Sequence, residues 1–233
     1  CDWSSDVCSS DLALVTADRV EVWHPSQNAR NGQYIAADET GIASDKSYFN
    51  QTLVGGAFGR RVYGDDIRMV VAVAKQYPGK PVHTIWSREE AMRQGRYRAI
   101  TSARLKASLG ADGLPEALVL HASGCPGLSL AGIADSPIAN HIIPHVLLQT
   151  TVLPFHVMSG PYRGPGYNSF VFMVESFIDE CAAAVGSDPV EYRMKLHAKN
   201  PDPGYLLCLK EATSKAGWGK ALPKGTEIGR AHV

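Results

Sequence analysis

A chain of 233 residues, 45% of them hydrophobic, can bury a substantial core and build one or two globular units. Its 23 basic and 23 acidic side chains cancel, and no long run of one sign occurs, which argues against nucleic acid or an anionic membrane surface as the main partner. The longest apolar stretches, such as Met69–Ala74 and Phe170–Val174, are far too short to span a bilayer.

The two ends read as foreign. Glu227–Val233 (EIGRAHV) back-translates as GAG ATC GGA AGA GCA CAC GTC, and the reverse complement of that string encodes DVCSSDL, the sequence of Asp6–Leu12. Such agreement fits a sequencing adapter left at both ends of a DNA fragment, and both peptides resemble translated adapter. Residues 1–12 and 227–233 are therefore expected to be artefacts around an authentic stretch of 13–226 that is cut at both ends. The alternative is a polar N-terminus and a basic tail. Excluding the ends leaves Cys125, Cys181 and Cys208, with no C-x-x-C pair, so neither an iron–sulfur cluster nor structural zinc is expected within this stretch.

Taken in chain order, Arg19–Trp23 reads as a short strand stopped by Pro25, Asn31–Asp38 as a short helix, and Phe49–Val54 as a strand. Asp65–Gln76 reads as a helix with Asp65 and Asp66 at its positive end and Pro78-Gly79 as its stop. Pro81–Trp86 reads as a buried strand, and Ser87 with Glu90 forms an S-x-x-E box that caps a turn over Arg88–Gln94. Tyr97–Leu109 and Leu114–Ser123 flank Ala111-Asp112-Gly113, a strong hairpin signal. Cys125–Asn140 reads as a long irregular loop and is the best candidate for an internal boundary. Ser169–Val185 has helical apolar spacing with Cys181 as a small core residue, Asp188-Pro189 starts a second helix, and Leu206–Ala216 is a third. Mixed strands and helices without a repeat give an α+β architecture.

Two glycine-rich segments about a hundred residues apart carry the chemistry: TLVGGAFGRR (Thr52–Arg61) and GPYRGPGYN (Gly160–Asn168). Glycine permits positive φ and close backbone approach, so each suits a loop that presents bare N–H groups to an anion. Arg60 and Arg61 add cationic forks for phosphate. Taken alone, each segment reads equally as a tight turn with solvated arginines. No G-x-S-x-G elbow or G-x-x-x-x-G-K-[ST] loop occurs, which disfavours hydrolases and P-loop enzymes, and the eight scattered histidines form no metal-ligand pair.

Together and in this order, the two segments resemble the large subunit of the molybdenum hydroxylases, the xanthine dehydrogenase and aldehyde oxidoreductase family. The nearest branch is the isoquinoline 1-oxidoreductase β subunit. The first resembles the family's G-G-G-F-G loop, with Ala57 in place of the third glycine, and the second its R-G-x-G turn. The stretch ESFIDECAAAVGSDPVEYRMKLH resembles the family's helix pair through Glu175, Asp179, Glu180, Asp188, Pro189 and Arg193. WHPSQN (Trp23–Asn28) resembles a segment that ends in a glutamine, here Gln27, either a polar contact for the cofactor region or a turn residue.

The resemblance implies a molybdenum–molybdopterin cofactor, in its cytosine dinucleotide form, held by Gly55, Gly56, Ala57, Phe58, Gly59 and Arg60 and by Arg163, Gly164, Pro165 and Gly166. Metal ligands from the protein are not expected, since the pterin holds the metal. Glu175 is expected either to orient backbone donors or to pair with an arginine, the structural role being favoured. The implied reaction oxidises a small-molecule N-heteroaromatic or aldehyde with water as oxygen source, passing electrons to 2Fe–2S clusters on a separate small subunit in a bacterial cytoplasm or periplasm. Purines are not expected, because the family's substrate-orienting glutamate position falls on Val62. The general-base glutamate lies in a Gly-x-Gly-Glu motif that this stretch lacks, so the stretch alone is expected to be inactive. A non-catalytic scaffold or partner-binding paralogue is the alternative. Leu128, Leu130, Ile133, Ile138, Ile142 and Ile143 read either as an apolar substrate funnel or as core.

Overall fold

The computed structural model describes residues 10–126, 142–226 and 228. They fall into two compact units, and the chain passes between them more than once. The first unit takes the described residues within Cys1–Ile100, Gly124–Leu128 and Val152–Pro165; the second takes those within Thr101–Ser123, Ser129–Thr151 and Gly166–Val233. No helix among the described residues is long and apolar enough to cross a membrane.

The first unit is built on a four-stranded sheet of order β3-β2-β1-β4. Strand β1 (Ser10–Val15) pairs antiparallel with both β2 (Val20–His24) and β4 (Pro81–Ile85), and β2 pairs parallel with β3 (Ser47–Gln51). Parallel neighbours need a crossover, and α1 (Ala29–Thr40) supplies it. Asn28 caps α1 by accepting from the Asn31 N–H at 3.2 Å. A Cβ at Gly32 would lie 2.4 Å from the Phe49 ring, so glycine is what lets α1 settle on β3. Helix α2 (Asp65–Ala74) packs beside α1, burying Ile67, Val70, Val71 and Ala74 against Ala13, Val15, Val20 and Val22 of the sheet. The alternation of buried and half-buried residues along β2 is the period-2 signature of a sheet with one face on a core.

Two expectations need correcting here. Pro81–Trp86 is not a buried strand: β4 lies at the sheet edge and alternates exposed and half-buried residues, because only one face meets the core. The strand expected over Phe49–Val54 runs from Ser47 and stops at Gln51, where the first glycine loop begins. Helix α3 (Arg88–Gln94) starts as expected, with the Glu90 N–H donating to Ser87 Oγ at 3.2 Å.

The second unit holds a three-stranded sheet of order β5-β6-β7, from β5 (Thr101–Leu109), β6 (Pro115–Gly124) and β7 (His145–Val152). Asp112 and Gly113, the latter at φ 77°, close the β5–β6 hairpin, and the Gly110 N–H donates to the Leu114 carbonyl at 2.9 Å. Helix α4 (Tyr167–Ala184) buries Phe170, Val174, Ile178, Cys181 and Ala182. Asp188 caps α5 (Pro189–His197) through the Val190 and Glu191 N–H groups, and Asp202 caps α6 (Pro203–Ala216). Ile142 and Ile143 are buried in this unit, whereas Leu128, Leu130, Ile133 and Ile138 lie outside the described residues.

Arg193 explains the acidic pattern of the helix pair. Buried on α5, it donates to Glu175 Oε2 at 2.9 Å, to Asp179 Oδ1 at 2.7 Å and to the Glu175 carbonyl at 2.8 Å. Glu175 thus pairs with an arginine, the structural role. Because side-chain exposure of Glu175 and Asp179 is 27% and 40%, water takes over part of the loss when the arginine goes. Arg193→Met is expected to cost about 2–3 kcal/mol, below the range for a fully buried pair. Chemical denaturation of the purified chain checks this.

Candidate functional site

The first glycine loop leaves β3 at Gln51 and reaches α2 at Asp65. Its backbone has positive φ at four positions: Gly56 at 145°, Phe58 at 50°, Gly59 at 92° and Gly64 at 68°. Ala57 is not among the residues of positive φ, so alanine in place of the third glycine introduces no left-handed strain. Phe58 is the strained residue, and non-glycine residues held there concentrate at functional sites.

Gln27 resolves into a definite contact. Its side-chain oxygen accepts the Gly59 N–H at 2.9 Å, and its own N–H donates to the Arg61 carbonyl at 3.1 Å. The Ser26 hydroxyl donates to that same carbonyl at 3.2 Å. The turn after β2 therefore grips the glycine loop from behind.

The second glycine loop lies against the first. A Cβ on Gly59 would meet the Pro161 carbonyl oxygen at 2.5 Å. The Arg163 N–H donates to the Phe58 carbonyl at 2.7 Å, and the Arg163 guanidinium lies 5.3 Å from the Phe58 ring centroid. Arg163 itself sits at φ 29°, so two strained residues face each other.

Beside this junction is a cavity of about 540 Å³ within the first unit, lined by Gly56, Ala57 and Phe58 together with Arg60, Arg61, Arg88, Arg96, Arg98 and Arg163. Among the described residues no carboxylate lines it. Arg60 stacks over Trp86, Arg96 over Tyr63 and Arg98 over Tyr162, with guanidinium-to-centroid distances of 5.4, 4.2 and 5.0 Å. Both Nη atoms of Arg60 are buried and find no hydrogen-bond partner among the described residues; Asp66 Oδ2 is 3.9 Å from Nη1, beyond hydrogen-bond reach. A buried cationic fork with two unused donors at an arginine-lined cavity suits an anionic ligand.

Of the ten residues expected to hold the cofactor, Gly56, Ala57, Phe58, Arg60 and Arg163 line this cavity. Gly59 makes the junction, while Gly55, Gly164 and Pro165 stand outside the lining. Gly166 belongs to the second unit and heads α4.

Arg61 turns the other way, into a buried ionic cluster. Its Nη1 lies 3.3 Å from Asp11 Oδ1 and 3.0 Å from His24 Nε2, and His24 Nε2 lies 3.2 Å from Asp66 Oδ2. Burial, then the neighbouring Asp66 charge, push the Asp11 carboxyl up to about 6. Burial also opposes ionisation of Asp66, but the His24 hydrogen bond and the charges of His24, Arg60 and Arg61 outweigh it and hold the carboxyl at about 2. Asp11, His24 and Asp66 converge closely enough for a metal ion. The Arg61 cation already occupies that convergence, so the group works as an ion network that fixes the end of the glycine loop.

Sequence reasoning missed this cluster and the arginines at 88, 96 and 98. The available signals were the doublet Arg60-Arg61 and the repeated arginines of MRQGRYR after a capped helix turn.

A sequence model of one protein family, described as the molybdopterin cofactor-binding domain, matches residues 9–196. The chain belongs to that family. Among relatives, the molybdopterin-binding chain is 25% identical to the isoquinoline 1-oxidoreductase subunit beta of Brevundimonas diminuta, covering 91% of this chain and 30% of that protein. It is 29% identical to the xanthine dehydrogenase molybdenum-binding subunit of Escherichia coli O157:H7, covering 77% of this chain and 24% of that one. The fold matches the aldehyde oxidoreductase from Desulfovibrio gigas with a TM-score of 0.78 at 21% identity, over 90% of this chain and 25% of that one. The molybdopterin-binding chain thus spans less than a third of the length of these relatives.

Proposed function

We propose that this chain is the part of a molybdenum hydroxylase catalytic subunit that holds the cofactor, and that the whole enzyme oxidises an N-heteroaromatic or aldehyde with water as oxygen source. The observation that carries the reading is the apposed pair of glycine loops beside the arginine-lined cavity with its unsatisfied Arg60. The residues present fit the group: Gly56 to Gly59 and Arg163 suit its pterin and metal end, and Arg60 with its neighbours suits phosphate. When bound, molybdopterin supplies the metal centre for two-electron oxidation of a carbon. Within that site Phe58 and Arg163 wall one side, Gln27 keeps Gly59 in place, and the arginine cavity neutralises the anionic tail. The two phosphates of the cytosine dinucleotide form suit the unused donors of Arg60 with Arg88 beside it. The general base and the 2Fe–2S electron path are assigned to the rest of the subunit and to a small partner subunit.

We also infer that residues 1–12 and 227–233 are adapter-encoded. The reading rests on the complementarity of the two ends at the DNA level, and pairing in β1 uses backbone groups that accept foreign side chains.

Acid release of nucleotide from the purified enzyme tests the cofactor form: CMP is expected, and a pterin without nucleotide refutes the dinucleotide. Arg60→Met is expected to lower retained molybdenum roughly tenfold or more, the loss of about two charge-assisted hydrogen bonds. Retention equal to the parent removes Arg60 from the site.

A further inference from the structure

We propose that Arg98 is a positioning residue that holds the second glycine loop in its strained form. The segment from Gly95 to Arg98 acts as a splint for that loop. Tyr97 pairs with Ser159 in a short parallel bridge: its N–H donates to the Met158 carbonyl at 3.0 Å, and its carbonyl accepts the Gly160 N–H at 2.9 Å. On one side of the bridge Arg96 donates to the Ser159 carbonyl at 3.1 Å and is fastened to Asp65 at 2.6 and 2.8 Å. On the other, Arg98 Nη2 donates to the Arg163 carbonyl at 3.0 Å while its guanidinium packs over Tyr162.

The contact falls on the residue that most needs one. Arg163 at φ 29° is a non-glycine residue in a region costing of order 1–3 kcal/mol, and such backbone persists only where its surroundings over-determine it. Two hydrogen bonds do so: its N–H is tied to the Phe58 carbonyl and its carbonyl to Arg98. Releasing the carbonyl lets the backbone relax toward negative φ, which swings the Arg163 side chain off Phe58. Arg96 is held on the other side of the bridge, with Nε and Nη2 on Asp65 and Nη1 on the Ser159 carbonyl. The consequence for chemistry rests on the cofactor reading given above; the geometry does not.

Amide hydrogen exchange of the 233-residue chain tests the proposal. In Arg98→Gln, the Arg163 amide, which donates to the Phe58 carbonyl, is expected to exchange roughly tenfold faster while those of α2 stay as in the parent, the local loss of one charge-assisted bond. Arg98→Lys, which keeps a donor, is expected to restore part of that protection. Unchanged exchange at Arg163, or equal acceleration throughout the chain, overturns the proposal. In the molybdopterin-loaded protein, Arg98→Gln is further expected to shift the Mo(V) paramagnetic resonance signal of the metal it retains; a signal identical to the parent's overturns the link to the cofactor. If the parent holds no molybdopterin, the cofactor reading fails and the exchange result still decides the role of Arg98.

Discussion

Gly59→Ala is expected to separate the two glycine loops and empty the cofactor site. The new Cβ would lie 2.5 Å from the Pro161 carbonyl oxygen and 2.7 Å from its carbon, both backbone atoms that have no rotamer to yield. The same residue sits at φ 92°, which alanine adopts at a cost. Strain of about 1–2 kcal/mol and overpacking of about 1–3 kcal/mol add to a loss of some 2–5 kcal/mol. The loops relieve the clash by moving apart, which breaks the Arg163–Phe58 hydrogen bond and misplaces the donors aimed at the ligand. Retained molybdenum is expected to fall more than about tenfold, since about 1.4 kcal/mol suffices for each decade. Gly41→Ala is the matched control: φ there is 74°, with nothing within 4 Å of the added carbon, so it carries the backbone strain without the clash. Metal content and thermal midpoint of both variants separate the two effects. Equal behaviour of the two would show that the loops do not need their close approach.

The buried cluster should give the second large effect, with opposite signs at two neighbouring carboxylates. Asp66 has a folded pKa of about 2 against 3.8 for the free group. Its contribution is therefore present above pH 4 and is lost as pH falls through that interval. Asp11 has a folded pKa of about 6, above the same reference. Its carboxyl is favoured neutral in the fold, so stability declines as pH rises from about 4 to 6, by up to about 3 kcal/mol. Asp11→Asn is expected to abolish that decline and to be more stable than the parent at neutral pH. Asp66→Asn removes the carboxylate that faces His24, Arg60 and Arg61 in this buried cluster, and a loss of about 3–5 kcal/mol is expected. Urea denaturation of the three proteins across pH 3 to 8 checks both signs. A parent whose stability is flat from pH 4 to 6, or an Asp11→Asn variant weaker than the parent at pH 7, would contradict this picture of the cluster.

Some of the structure could be read directly from local chemistry. Asp65-Asp66 before an apolar run marked α2, Asp188-Pro189 marked the start of α5, and Asp112-Gly113 marked the hairpin, because each signal acts within a few residues. Strand β7 was missed because HVLLQTTV lies mostly exposed and its apolar residues Val146, Leu147 and Leu148 run together instead of alternating with polar ones. Strand β1 was missed because half of it lies within the adapter-like stretch that sequence reasoning set aside. The glycine loops were legible as loops, and their resemblance to one family gave the ligand. Their apposition was not legible, since a contact between Phe58 and Arg163 depends on tertiary structure rather than on spacing. The same holds for Arg61: nothing in the doublet Arg60-Arg61 tells which side chain turns inward to Asp11 and His24 and which stays at the cavity.

The central claim is that the apposed glycine loops hold molybdopterin. Its most direct test is the metal and pterin content of the protein, expressed with the proposed iron–sulfur partner in a host that produces the cofactor. Near-stoichiometric molybdenum, with pterin released on denaturation, is the predicted result. A well-folded protein that contains neither would contradict the claim.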